Sequence, residues 1–111
     1  MKRGDVFYAN LDPTQGAETQ KTRPVVIVSN DAANRVGALV TVLPVTSNVT
    51  RIFPFEVKLL ASETGLSKDS KAMAQQVRTL DKGRLAQSAS GQVPAALMMQ
   101  VDAALRLHLS L

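Results

Sequence analysis

Apolar and polar positions alternate along most of this chain and give way to a helical period only at its end. Asp5 to Leu11 puts Val6, Tyr8 and Asn10 on one side and Phe7, Ala9 and Leu11 on the other, the pattern of a strand with one clearly apolar face. A long loop, Asp12 to Thr22, follows; connections of this length inside compact domains tend to be functional or disordered. Val25-Val26-Ile27-Val28 is a run of β-branched residues and predicts a buried strand. Ser29 to Arg35 predicts a turn or a single turn of helix capped by Asn30 or Asp31. Ala38 to Val45 is almost continuously apolar and predicts a third strand buried on both faces. It ends in Thr46-Ser47-Asn48, ordinary turn chemistry.

Phe53 to Leu59 predicts a fourth strand, with Phe53, Phe55, Val57 and Leu59 on one face and Pro54, Glu56 and Lys58 on the other. Pro54 gives it an edge position. Ser62 to Ser67, with Gly65, predicts a turn, and Ser70 to Leu80 a fifth strand, although its composition would also suit a helix. Asp81 to Leu85 reads as a short helical turn, and Ala86 to Gln92 as a polar strand or loop. From Pro94, placed at a first helical position, Ala95 to Leu109 predicts a helix. Leu97, Val101, Ala104, Leu105 and His108 share one face, broadened by Met98, Leu107 and Leu109. These elements predict a mainly β, α+β domain over residues 1–111: a small antiparallel barrel closed by a C-terminal helix.

Composition narrows the chemistry. The absence of cysteine removes disulfides, thiolate metal sites and a cysteine nucleophile, and a single histidine, His108, cannot form a metal cluster or a catalytic pair. Formal charge is +4 over 111 residues, a modest excess that favours an anionic partner, nucleic acid first. Met1-Lys2-Arg3 leads into Gly4-Asp5 and not into an apolar segment, so the expectation is a cytoplasmic chain with no membrane partner. No glycine-rich phosphate loop and no pair of converging carboxylates is visible. Aromatic residues make up 4% of the chain, which argues against a broad platform of stacked bases.

One segment stands apart. Asp12-Pro13 and Gly16 bracket Glu18; Thr19-Gln20-Lys21-Thr22 then leads to Arg23, immediately before Pro24 and the β-branched run. A residue before proline is pushed toward extended backbone, and proline suits the first position of a strand. Arg23 is therefore expected at the mouth of a rigid strand, with a loop able to swing Glu18 beside it. The plain alternative is a surface ion pair between Glu18 and Arg23, which is common and energetically minor. If Thr46 and Ser47 share that rim, a carboxylate, a guanidinium and a hydroxyl are available together. A carboxylate can take a hydroxyl proton, and a guanidinium can clamp a phosphate and neutralise charge building on it. This set suits metal-free cleavage of RNA, in which the substrate's own 2′-hydroxyl is the nucleophile, and does not suit DNA.

Several segments carry a resemblance in register from end to end: Arg3-Gly4-Asp5-Val6, Leu11-Asp12-Pro13, Gly16-Ala17-Glu18, Arg23 to Asn30, and Pro44-Val45-Thr46-Ser47. Phe53 to Val57, Gln75 to Asp81 and the closing Leu105 to Leu111 extend it. The chain resembles the MazF/PemK toxin family. The resemblance implies an SH3-like barrel that forms a homodimer and acts as a sequence-specific, metal-independent endoribonuclease on single-stranded RNA. The implied products are a 2′,3′-cyclic phosphate and a 5′-hydroxyl, and no cofactor is implied. It also implies a cognate, MazE-like antitoxin whose extended acidic segment blocks the RNA groove. Arg23 matches the arginine that stabilises the transition state, Glu18 the loop general base and Thr46 the residue holding the scissile phosphate. Thr19, Lys21, Ser47, Phe53, Pro54, Gln75 and Gln76 fall at RNA-contacting positions of the groove. Two positions depart from relatives: Glu18 precedes Thr19 where glutamine is frequent, and Gln75 replaces an aspartate that the Kid/PemK branch uses beside an arginine at the position of Met73. The resemblance thus favours Glu18, Arg23 and Thr46 over that strand-borne pair. The alternative function is a non-catalytic, gyrase-binding toxin of the CcdB kind on the same barrel. A structural oligomerisation domain, suggested by the apolar helix, would not explain the charged rim.

Overall fold

In the computed structural model, which describes residues 1–111, the architecture is organised by one long strand, β3 (Leu39–Thr46). One edge of β3 pairs with β2 (Thr22–Ile27) from Val42 to Pro44. The other edge is divided: β6 (Arg78–Asp81) takes Leu39 to Val42, and β5 (Ser70–Met73) takes Val45 and Thr46. Outward from these lie β1 (Asp5–Asn10) beside β2, β7 (Gly91–Gln92) beside β1, and β4 (Glu56–Leu59) beside β5. Every pairing is antiparallel. The sheet curls until the chain after β6 meets β1: Ala9 bridges Leu85, and the Ala86 N–H donates to the Tyr8 carbonyl at 2.8 Å. The result is a curled, mainly β half-barrel.

Period-two alternation explains why the runs Val25 to Ile27 and Val42 to Val45 in the central strands are apolar on both faces. Phe7, Ala9, Leu11, Val25, Ile27, Val40, Val42, Leu80 and Leu85 fill the concave side. Val6, Val26, Leu43 and Val45 point the other way, where Val57, Leu59 and Ala72 meet the C-terminal helix. That helix, α3 (Ala95–Leu109), buries Met98, Val101 and Ala104, with Leu97 and Leu105 packed at the margins. His108 lies on the exposed side of the stripe, its ring 6.2 Å from that of Phe55. No helix is long and apolar enough to cross a membrane.

Two short helices complete the chain, α1 (Asp31–Val36) and α2 (Ala61–Thr64). Asn30 caps α1: its Oδ1 accepts from the Ala33 N–H at 2.8 Å, satisfying one donor of the first turn.

Four expectations need correction. The fourth strand starts at Glu56, because Phe53-Pro54-Phe55 forms a turn closed by Glu56 N–H donating to the Phe53 carbonyl at 2.9 Å. Glu56, expected on one face with Pro54 and Lys58, is buried while those two are exposed. The single strand expected from Ser70 to Leu80 is broken at Ala74–Gln76 by a turn of 3-10 helix, where the chain leaves one half of β3 and joins the other. Pro94 lies one residue outside α3 as its N-cap.

Candidate active site

Arg23 lies within β2, extended as the following proline dictates, and pairs with Ala9. Pro24 sits where β2 has only β1 beside it, since pairing with β3 begins at Val25, so its missing N–H costs that ladder nothing. The Arg23 Nε donates to the Gln20 carbonyl at 3.2 Å, and its two terminal nitrogens have no partner. The half-buried side chain lines a cavity of about 220 Å³ with Tyr8, Thr22, Ser47, Ser67, Lys68 and Ser70. No carboxylate lines this cavity. An arginine with free donors faces a cavity rich in hydroxyls and without a countercharge, an arrangement suited to a phosphate.

Thr46 closes β3, opposite Lys71, and its Oγ1 accepts from the Asn48 N–H at 3.2 Å. That bond forms the predicted hydroxyl turn and directs the next residue, Ser47, to the Arg23 cavity. Ser47, not Thr46, is the hydroxyl that lines the cavity with Arg23.

Glu18 lies elsewhere. Its Oε1 accepts from the Gln15 N–H at 2.6 Å, inside its own loop. It lines a second, open cavity of about 460 Å³ with Ala17, Gln75, Gln76, Val77 and Arg78. The protein's ion pairs are Arg3–Asp102 and Lys71–Glu56; Glu18 and Arg23 form none. The stretch between them touches both regions: the Thr19 N–H donates to Gln76 Oε1 at 2.6 Å, and the Gln20 carbonyl receives Arg23. Lys21, at φ +68°, is tied to the base of the loop by its backbone, donating to Asp12 Oδ1 and accepting from the Leu11 N–H, each at 3.0 Å. Its side chain belongs to an exposed residue.

Gln75, Phe53 and Pro54 are organised by a residue that sequence reasoning missed. The buried carboxylate of Glu56 accepts from the Phe53 N–H and Lys71 Nζ, each at 2.9 Å, and from Gln75 Nε2 at 2.7 Å. Burial pushes its carboxyl up; the Phe53, Gln75 and Lys71 hydrogen bonds and the Lys71 charge outweigh that and hold it below the usual carboxylate range. A carboxylate only accepts, so it fixes the Gln75 amide with nitrogen inward, leaving Oε1 buried without a partner. Phe53 stacks on Phe55 with centroids 5.4 Å apart and lies 5.1 Å from the Arg51 guanidinium, and Pro54 is exposed at the turn. This is a local aromatic stack that the low aromatic content did not suggest.

Arg78 and Arg84 were also missed. Arg78 donates to the Leu11 carbonyl at 3.2 Å, and Arg84 to that of Asp12 at 2.6 Å, so the foot of the Glu18 loop is clamped to the sheet. Nothing in the spacing of these arginines revealed it, because the partners are backbone oxygens far away in sequence.

The rim of this half-barrel thus carries cations and hydroxyls around Arg23, with Glu18 held apart in its own loop. The chain belongs to the PemK-like, MazF-like toxin family of type II toxin-antitoxin systems, whose match covers residues 2–109. It is 47% identical to Endoribonuclease MazF9 of Mycobacterium tuberculosis over 116 aligned residues, covering 100% of this chain and 98% of that protein. It is 35% identical to Endoribonuclease EndoA of Bacillus subtilis, covering 100% and 96%. Among solved structures, MazF of Deinococcus radiodurans superposes with a TM-score of 0.86 at 28% identity, covering 100% and 97% of the two chains. A mycobacterial endoribonuclease in complex with its cognate antitoxin does so with a TM-score of 0.80 at 29% identity, covering 100% and 96%.

Proposed function

We propose that this protein is a sequence-specific, metal-independent endoribonuclease toxin of the cytoplasm, acting as a homodimer on single-stranded RNA and held in check by a cognate antitoxin. The observation that carries this reading is the Arg23 cavity: free guanidinium donors, flanking hydroxyls and no countercharge. In the proposed reaction the substrate's 2′-oxygen attacks the adjacent phosphorus, and the bond to the 5′-oxygen breaks. The departing 5′-oxygen takes up a proton, delivered through the Arg23 guanidinium and replaced from water, so that a 2′,3′-cyclic phosphate and a 5′-hydroxyl result. Arg23 stabilises the charge on the phosphoryl oxygens, with Ser47 at the phosphate and Thr46 holding the turn that presents it. Glu18 takes the 2′-hydroxyl proton. It reaches the phosphate by movement of the 12–21 loop, whose contacts near Glu18 are the Gln15 turn and the Thr19–Gln76 bond; catalytic contacts often tighten only when substrate is bound. Thr19, Lys21, Phe53, Pro54, Gln75 and Gln76 line the path of the flanking nucleotides. An acidic, extended antitoxin segment suits the same cationic rim.

The direct test is cleavage of an unstructured RNA in EDTA. Arg23→Ala is expected to lower the rate by about 10²–10³, the usual cost of removing a group that stabilises an oxyanion, with the fold retained. Undiminished cleavage by that variant would reject the assignment. The gyrase-binding alternative leaves the Arg23 cavity without a task.

A further inference from the structure

The Arg23 cavity has a second charged wall that the catalytic roles above do not use. The segment joining α2 to β5 brings Ser67, Lys68 and Ser70 onto it. This wall is held firmly from behind. Gly65 ends α2 at φ +82°, and Gly91 packs so closely that a Cβ there would fall 2.0 Å from the Thr64 carbonyl oxygen. Leu66 is buried in the core. Asp69 Oδ1 accepts from the Ala61 N–H at 2.8 Å, and Ser70 Oγ donates to the Lys68 carbonyl at 2.9 Å.

The charge pattern then points to a ligand. The Lys68 ammonium has neither an ion pair nor a hydrogen-bond partner, and Asp69, the acid beside it in sequence, is absent from the cavity lining. Two cations, Lys68 and Arg23, therefore border one small cavity with nothing to offset them. Like charges brought together repel, and an anion between them removes the repulsion and adds attraction to both. The cavity is framed by hydroxyls, donors suited to phosphate oxygens.

We infer that Lys68, with Ser67, forms a phosphate-binding subsite next to Arg23 that grips the RNA backbone and takes no part in bond breaking. The inference rests on the ribonuclease reading. Lysine carries a compact charge on a flexible stem, which suits holding a diester anion, whereas the Arg23 fork is fixed at Nε by the Gln20 carbonyl. Phosphates occur at every nucleotide, so this grip positions the strand without reading its sequence.

Two measurements on Lys68→Gln and Lys68→Arg test this. The first is binding of a mixed-sequence, single-stranded oligodeoxynucleotide at several salt concentrations; it has the phosphates but no 2′-hydroxyl, so it is not cut. Each phosphate contact on a single strand contributes about 0.7 to the slope of log K against log salt, so Lys68→Gln should reduce the slope by about that much and Lys68→Arg should restore it. The second is steady-state cleavage of one long RNA, where Lys68→Gln should raise KM several-fold, with kcat and the mapped cut sites unchanged. A slope equal to that of the unmodified protein overturns the subsite, as does a fall in kcat at constant KM. If the unmodified protein shows the Lys68-dependent slope yet cuts no RNA, the subsite stands and the ribonuclease reading fails.

Discussion

Glu56 ties together three segments that carry candidate site residues: the Phe53 turn, β5 through Lys71, and the Ala74–Gln76 turn through Gln75. Lys71 Nζ also donates to the Arg51 carbonyl at 2.7 Å, fixing the far side of the same turn. A buried ion pair adds little against an apolar replacement, but removing one partner strands the other, at about 3–5 kcal/mol. Glu56→Ala is expected to lose stability in that range by urea titration. Replacing both partners, as Glu56→Leu with Lys71→Met, should recover most of the loss while disordering the turn. The pH dependence follows from the lowered carboxyl. As pH falls through the ordinary carboxylate range, near ~4.3, the unfolded state takes up the proton first, so the stability that Glu56 contributes is present above that range and is lost as pH drops toward the folded value. Glu56→Gln should flatten this acid-side fall in stability; parallel curves for the two proteins would show that the carboxylate does not carry it.

Elements whose environment is set locally were legible in the sequence, and those set by distant partners were not. The apolar runs of β2 and β3, the alternation of β1, the Asn30 cap and the face of α3 follow from periods and capping chemistry that any neighbour would respect. Phe53 to Phe55 alternates as a strand does, yet closes into a turn because a buried carboxylate three residues on takes the Phe53 N–H. The break at Ala74–Gln76 exists because β3 offers its edge in two halves, information held in β3 and not in the segment itself. Arg23 was legible through the proline that follows it. The position of Glu18 was not, because it depends on how its loop docks. That docking gives a prediction: with Gln76→Ala the Thr19 N–H loses its acceptor, and the loop should open more often. Trypsin cleavage after Lys21 is expected to rise several-fold with little change in global stability. Equal cleavage rates would mean that the Arg78 and Arg84 clamps alone hold the loop.

Over the whole molecule, one sheet separates two cores while its rim gathers the site. Arg23 comes from β2, Ser47 follows β3 and Lys68 precedes β5, so the cavity exists only while the ladders joining those strands hold. β2 and β3 contribute side chains to both cores: Val26 and Leu43 to the helix side, Val25, Ile27, Val40 and Val42 to the concave side. Neither core can come apart without disturbing strands that the other needs. The molecule is therefore expected to unfold in one step, and the site to vanish with it. Leu43→Ala tests the helix side and Leu80→Ala the concave side; both residues are almost fully buried. Each should cost about 2–5 kcal/mol, a large share of the roughly 5–15 kcal/mol that holds a domain together. In urea, RNA cleavage and the circular dichroism of the sheet should disappear at one shared midpoint in each variant, shifted to lower denaturant by either substitution. A variant that lost cleavage well before its secondary structure would show that the rim melts independently, and that the two cores do not act as one support for the cavity.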